Sequence, residues 1–513
     1  MHPIGRRSLQ SYWRFIKNAV ANLGRGGAAA IVALLLPPVL VRHMTPASYS
    51  VWVLVLQTAA YVSYLNFGLE TAIGRYVAYT NEKKDIEQRD SVFSTAFFAL
   101  CCAALLSLLC LAGVTLAVPD IFPSVPAPLI PQMRLSLLIV GLALALGLPA
   151  SSWSGVFAGL ARYEIPALTV GSARLLSALG VIAAALAGRS LVVMAAIIAS
   201  ANLLSYLAQY LILRRILPDI RFQLSLVRRS TAHELYGYCF GLTVMNFAML
   251  LITGFDLLLV GRFQFSAVTP YSVSATMIAL ISGILSAVVS VMLPHAASLH
   301  ARDNADGMGN LVVSATRLSV LLLILTGIPI LIYARPILRL WIGQRYVTSG
   351  APLLVTLIVA NVIRLIGLPY AIILVAAGQQ NYIKISPLAE GISNFIASVV
   401  LGKLFGAIGV ALGTLLGSFV SIGAHLFYSM PRTRQAIAFS RRNLVISGVL
   451  YPLLCTSPLL AIAVASLYRV EIKPLVFASA ALLSSTGAAL LMIRTQGIFK
   501  GRLSFPIRWR QIC

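Results

Sequence analysis

Long apolar runs, each roughly 20 to 28 residues and rich in Leu, Ala, Ile and Val, follow one another along almost the whole chain. Short stretches carrying Arg, Lys, Asp, Pro or Gly separate them. At about 1.5 Å of rise per residue, such a run crosses the ~30 Å hydrocarbon layer of a bilayer as a helix. The alternation of about ten residues that marks a membrane barrel strand is absent. The pattern predicts an all-α membrane protein of about 14 transmembrane helices, at residues 17–41, 49–73, 91–118, 134–159, 167–188, 191–213, 236–260, 271–294, 311–334, 351–377, 385–404, 405–428, 444–468 and 474–493. A basic N-terminus (Arg6, Arg7, Arg14, Lys17) precedes the first run, as in a secretory leader. That run, however, holds Asn18, Asn22, Arg25 and Pro37-Pro38 and lacks a cleavage-type pattern before Arg42, so it reads as a retained first span.

Composition agrees: 59% of the 513 residues are hydrophobic and 10% charged, more apolar surface than a soluble core can hide. The net charge of +25 would elsewhere suggest nucleic acid. Here the basic residues gather on one face. With a cytoplasmic N-terminus, roughly 25 of the 39 Lys and Arg fall inside, mainly in the N-tail, 75–90, 214–229, 432–442 and the tail from 494. About 10 fall outside and about four within spans. This asymmetry predicts cytoplasmic N- and C-termini and contact with anionic lipids, not nucleic acid. Cys101, Cys102, Cys110, Cys239 and Cys455 lie inside apolar runs and Cys513 ends the tail, so they read as small apolar fillers.

Short phrases repeat. Tyr49-Ser50-Val51 opens span two and Tyr271-Ser272-Val273 opens span eight, each after a Thr-Pro (Thr45-Pro46, Thr269-Pro270), a displacement of 222 residues. Gly159 and Tyr163 correspond to Gly378 and Tyr382 at a displacement of 219. Halves of about six spans in the same orientation follow, related by an axis along the membrane normal. The expected organisation is an N-terminal lobe (1–213), a basic cytoplasmic linker (214–235), a C-terminal lobe (236–428), and a terminal helix pair with a basic tail (429–513).

The chain resembles the polysaccharide-transporter branch, O-antigen flippases included, of the multidrug/oligosaccharidyl-lipid/polysaccharide exporter superfamily. The resemblance is carried by Tyr49-Ser50-Val51-Trp52, Asn66-Phe67-Gly68-Leu69 with Arg75-Tyr76, Asp256-Leu257-Leu258-Leu259-Val260-Gly261, Leu340-Trp341-Ile342-Gly343 and Gly406-Ala407-Ile408-Gly409-Val410-Ala411. It implies two six-helix lobes around a central cavity in the bacterial plasma membrane. The implied cargo is a polyprenyl-diphosphate-linked oligosaccharide, such as an O-antigen or exopolysaccharide repeat unit, moved outward by alternating access. Lipid-linked oligosaccharide and membrane lipids are the implied partners; association with a polysaccharide polymerase stays open. No resident cofactor is implied, but some superfamily members couple transport to sodium or protons.

Four arginines interrupt apolar spans: Arg25, Arg174, Arg317 and Arg364. Helical counting puts all four about 10 Å from the cytoplasmic edge. A ring of guanidinium groups at that depth suits a diphosphate, since Arg offers paired donors and keeps its charge; the alternative is snorkelling to headgroups. Asn18, Asn22 and Arg25 form one polar stripe. Gln57, Tyr61, Tyr64, Gly68 and Arg75 share a face of span two, where tyrosines can stack on sugars or simply pack. Glu70, Asp256 and Glu390 are the acids within spans. The resemblance implies that a sodium site, as in some superfamily members, would lie between spans seven, eleven and twelve, where Glu390, Asn394 and Thr414 are candidates, with Asn246 close to Asn394 in depth. The same counting sets Asp256 about 20 Å from Glu390 and leaves it out. A structural ion pair with Arg364 is the competing role for Glu390. Pro149, Pro329, Pro369 and Pro458 are expected to interrupt their spans.

An enzyme is not expected: no nucleophile triad, metal-ligand cluster or phosphate loop stands out, and the outer loops at 119–133 and 335–350 carry one acid, Asp120, and no histidine. The rival readings are a cation-coupled multidrug antiporter of the same superfamily, a lipid II flippase and a non-transporting scaffold. The arginines favour an anionic cargo over the first.

Overall fold

The computed structural model describes residues 30–220, 222–378, 384–433, 435, 437–467 and 472–496. Asn18, Asn22, Arg25 and Tyr382 lie outside them. Among the described residues there are helices and turns and no strand. Eleven helices among these residues are long and apolar enough to cross a membrane, or 12 counting one bent pair. The shorter α1 (Ala30–His43) is the described part of the expected first span.

Span two is broken where the sequence predicts continuity. Thr45 caps α2 (Pro46–Ala60) by accepting from the Ser48 amide at 3.2 Å. The chain then tightens into a 3-10 turn, Tyr61–Asn66, and passes Phe67 and Gly68 in the left-handed region (φ 51° and 76°) before α3 (Leu69–Lys83). Asn66 ties the break: its amide donates to Ser151 Oγ at 2.8 Å and its Oδ1 accepts from the Glu70 amide at 3.2 Å. The phrase Asn66-Phe67-Gly68 is thus a helix stop and restart.

Helices α4 (Ile86–Leu116), α5 (Val118–Ile121), α6 (Ile130–Gly159), α7 (Glu164–Leu186) and α8 (Leu191–Ile216) follow. Helix α6 packs on α2, α3, α4 and α8. Gly155 and Gly159, four apart, let α3 approach until an added Cβ would stand 2.7 Å from the Glu70 carbonyl and 2.8 Å from that of Gly74. That is the small-residue packing of membrane helices, which lack a hydrophobic drive toward one another. Pro149 sits inside an unbroken α6.

Span seven is also broken: α9 (Arg229–Met249), a π-turn (Leu250–Gly254) and α10 (Asp256–Phe263). Helices α8 and α9 both outrun their apolar boundaries, which leaves residues 217–228 between them. This segment docks on the start of α4: Ser91 Oγ donates to the Leu226 carbonyl (3.0 Å), Ser94 Oγ accepts from the Gln223 amide (3.1 Å), and Arg228 pairs with Glu87 (2.5 Å). Helix α11 (Val268–Ser290) comes next. Its Thr269 lies 3.0 Å, hydroxyl to hydroxyl, from Ser50 of α2, so the two repeated phrases meet.

Spans eleven and twelve form a hairpin. Helix Ile385–Ala424 turns at Gly406 (φ 63°, ψ −140°), a conformation essentially reserved for glycine. Beyond it Gly409, Gly413 and Gly417 press on Leu401, Ser398 and Asn394 in antiparallel order.

Three arginines cap helix C-termini. Arg134 donates to the carbonyls of Thr115 (3.0 Å) and Leu116 (2.8 Å), Arg262 to Asp120 (2.7 Å) and Ile121 (3.2 Å), and Arg42 to Leu340 (2.7 Å).

The chain forms two compact units. The first holds the described residues up to Leu280 with Leu338–Leu357 and Pro387–Gly417; the second holds Ile281–Ile337, Ile358–Ser386 and those from Ser418. In the second, helix Ala305–Ile332 packs on Leu368–Ala376, the π-turn Leu444–Leu450 and Ser457–Leu467. Pro369 and Pro458 each fall in the first turn after a break, the latter at a 67° bend, whereas Pro329 lies within a continuous helix.

Candidate functional site

The hydrogen-bonded polar cluster in the apolar part of the first unit centres on Asp256. The π-turn ends just before it, so the acid opens α10, where the helix dipole favours a negative charge. Asp256 is buried. Its Oδ2 accepts from Thr414 Oγ1 (3.0 Å) and from the Tyr271 hydroxyl (3.2 Å), and its Oδ1 lies 3.5 Å from Asn394 Nδ2. The same Nδ2 donates to the carbonyls of Ile252 (2.8 Å) and Leu251 (3.4 Å) in the π-turn. Asn394 Oδ1 accepts from Ser398 Oγ (3.0 Å), which also reaches the Val410 carbonyl at 3.2 Å.

One carboxylate, a side-chain amide, two Ser/Thr hydroxyls, a tyrosine hydroxyl and the carbonyls of an irregular turn thus converge. The donors are hard oxygens, and the carboxylate contributes a single negative charge. Such a set suits a small monovalent cation, and irregular backbone supplying carbonyls is how membrane transporters build ion sites. Thr414 and Asn394, two of the residues singled out in the sequence, both lie against this carboxylate. Glu390 lies one turn before Asn394 and is also buried. Asn246, on α9, is half-buried and joins none of these hydrogen bonds.

Asp256 is the group that counting along the helices sets apart. Such counting assumes upright helices starting at one level, whereas membrane helices tilt and the π-turn alters the rise. The usable signal was a lone acid inside an apolar run, functional by default.

The arginines sit in different surroundings. Arg317 is buried, and its Nε donates to the Ser447 carbonyl at 2.8 Å. Arg364 Nη2 donates to Asn361 Oδ1 at 2.6 Å. Both belong to the second unit, whereas Arg174, exposed on α7, belongs to the first. Arg75 is exposed and stacks on the Tyr238 ring at 4.7 Å. Tyr64 is half-buried, while Gln57 and Tyr61 both donate to the Gly254 carbonyl, Gln57 at 3.0 Å.

The sequence model of the family described as "Polysaccharide biosynthesis protein" matches residues 15–300, more than half of the chain. No curated protein matches the sequence. Among solved structures, the fold is similar to the lipid II flippase MurJ in an inward closed conformation: TM-score 0.71, 13% identity, 94% of this chain and 100% of that one covered. It is also similar to an inward-facing multidrug resistance MATE family transporter of the MOP superfamily, with TM-score 0.62 at 13% identity, covering 82% and 95%. A MOP superfamily transporter from Pyrococcus furiosus Vc1 matches with TM-score 0.57 at 14% identity, covering 82% and 96%.

Proposed function

The chain belongs to the polysaccharide biosynthesis protein family, and from that premise we propose that it is a cation-coupled flippase. It moves a polyprenyl-diphosphate-linked oligosaccharide, such as an O-antigen or exopolysaccharide repeat unit, from the cytoplasmic to the outer leaflet of the bacterial plasma membrane. The observation that carries the coupling is the buried Asp256 carboxylate, which accepts from Thr414 and Tyr271 and lies beside the Asn394 amide. A membrane acid so surrounded is retained for an ion or a proton.

The anionic cargo rests on the family and on the arginines. Arg25, Arg174 and Arg364 are the proposed diphosphate ligands, with Arg75 at the cytoplasmic mouth and Asn22 and Tyr64 beside the sugars. Arg317 is a weaker candidate, because of the four it lies nearest the start of its predicted span, 311–334. Two lobes, 1–213 and 236–428, alternate access about the linker, both termini are cytoplasmic, and residues 429–513 lie outside the repeat.

The test is reconstitution of the whole chain in proteoliposomes with a fluorescent polyprenyl-diphosphate disaccharide whose outer-leaflet pool a membrane-impermeant quencher destroys. A sodium or proton gradient should accelerate the loss of protected probe. Efflux of an organic cation with no effect on the lipid probe would instead establish a drug antiporter. Movement of lipid II alone would establish the other flippase reading.

A further inference from the structure

We propose that Gln57 and Tyr61 are positioning residues that latch α2 to the π-turn ahead of Asp256, and that cation binding at Asp256 releases the latch. The inference rests on the cation reading above. The π-turn Leu250–Gly254 is held from two sides. Asn394 Nδ2 takes the carbonyls of Leu251 and Ile252. From the other side Gln57 Nε2, at 3.0 Å, and the Tyr61 hydroxyl, one turn later, both take the Gly254 carbonyl. Phe255, between Gly254 and Asp256, has the Tyr61 ring at 5.6 Å and that of Phe395, neighbour of Asn394, at 5.2 Å.

The chemistry of the site makes these two grips antagonistic. The Asn394 amide N–H group faces the carboxylate and the π-turn carbonyls. A cation next to Asp256 needs oxygens, so Asn394 must present Oδ1 and withdraw its N–H donors. The carbonyls of Leu251 and Ile252 then lose their partner and turn to the metal or to the ordinary α pattern. A π-turn carries one residue more than an α-turn, so its relaxation re-registers the Gly254 carbonyl and takes it from Gln57 and Tyr61. Helix α2 gives way at the adjacent 3-10 turn and left-handed pair, Tyr61–Gly68.

Linkage gives the inference its sign. If the latch favours the cation-free state, weakening it favours the cation-bound state, so affinity for the cation must rise. Packing support for a site predicts the opposite. The experiment titrates sodium chloride against choline chloride on the purified whole chain, reading the sodium-dependent rise in melting temperature, and repeats the flux assay in both salts. Tyr61→Phe, which keeps the ring on Phe255, and Gln57→Leu should each lower half-saturating sodium by about fivefold, the weight of one hydrogen bond. Both should bring flux in sodium and in choline closer together. Unchanged or weakened sodium affinity in both variants, with a wild-type response that Asp256→Asn abolishes, overturns the latch and leaves the cation site standing. No saturable sodium response in the wild type overturns the cation site and the latch with it.

Discussion

Asp256 and Arg317 are both ionisable groups carried into apolar helices, where an unmet charge costs several kcal/mol. Arg317 meets that cost by donating to the Ser447 carbonyl, inside the π-turn of the bent span. Arg317→Met should therefore lower the melting temperature, with a loss of about 1.5–3 kcal/mol for a charged hydrogen bond. Flux measured well below the melting temperature should stay within about twofold, since the lost bond is structural. Asp256→Asn should do the reverse. The amide keeps the shape and can still accept from Thr414 and Tyr271, but it removes the charge a cation needs. Flux in sodium should fall by about tenfold or more, to the choline level, with little change in melting temperature. An Asp256→Asn protein with intact sodium-dependent flux would remove Asp256 from the coupling. At this scale the sequence was half legible. It exposed each unusual residue, because polarity inside an apolar run is visible in one dimension. Which partner each one finds depends on neighbours distant in the chain, such as Ser447 for Arg317 and Thr414 for Asp256.

The apolar runs located the membrane helices well but not their breaks. Spans two and seven, continuous in hydropathy, are interrupted at Tyr61–Gly68 and Leu250–Gly254. A π-turn leaves no mark in composition, whereas the Asn66-Phe67-Gly68 phrase does, as a left-handed pair with an asparagine that bonds the restart. Proline was a poor guide: Pro149 and Pro329 sit in unbroken helices and Pro369 and Pro458 follow breaks. Glycine was a better one. Gly406-Ala407-Ile408-Gly409 is the turn of the hairpin that brings Asn394 and Thr414 to one carboxylate. Gly406→Ala should cost about 1–3 kcal/mol for the forbidden backbone conformation. It would also push aside Gln264, whose Oε1 accepts from the Ala407 amide at 2.9 Å. Gly409→Ala drives a methyl into the Leu401 carbonyl across the hairpin. Both variants should melt earlier and lose sodium affinity together, because the hairpin sets the distance from Asn394 to Thr414. Loss of stability with unchanged sodium affinity would show that the site does not depend on the hairpin turn.

Across the whole molecule, the arginines away from the basic cytoplasmic segments fall into two groups, and these predict different mutant behaviour. Arg42, Arg134 and Arg262 neutralise helix C-termini, so their role is structural. Their replacement by Ala should lower stability without changing which cargo moves. The membrane arginines Arg25, Arg174 and Arg364 are proposed to serve a diphosphate, an assignment that rests on charge and depth along the sequence. In a flippase-deficient strain, the wild-type chain should restore surface polysaccharide and Arg25→Ala should not, at equal membrane abundance. Arg25→Lys should restore it in part, since lysine keeps the charge but not the paired donors that fit a phosphate. Full restoration by a chain with leucine at Arg25, Arg174, Arg317 and Arg364 together would show that the cargo is not held by these charges. The choice would then pass to a cavity that recognises the sugar alone, with Tyr64 and the Arg75–Tyr238 pair as the next residues to replace.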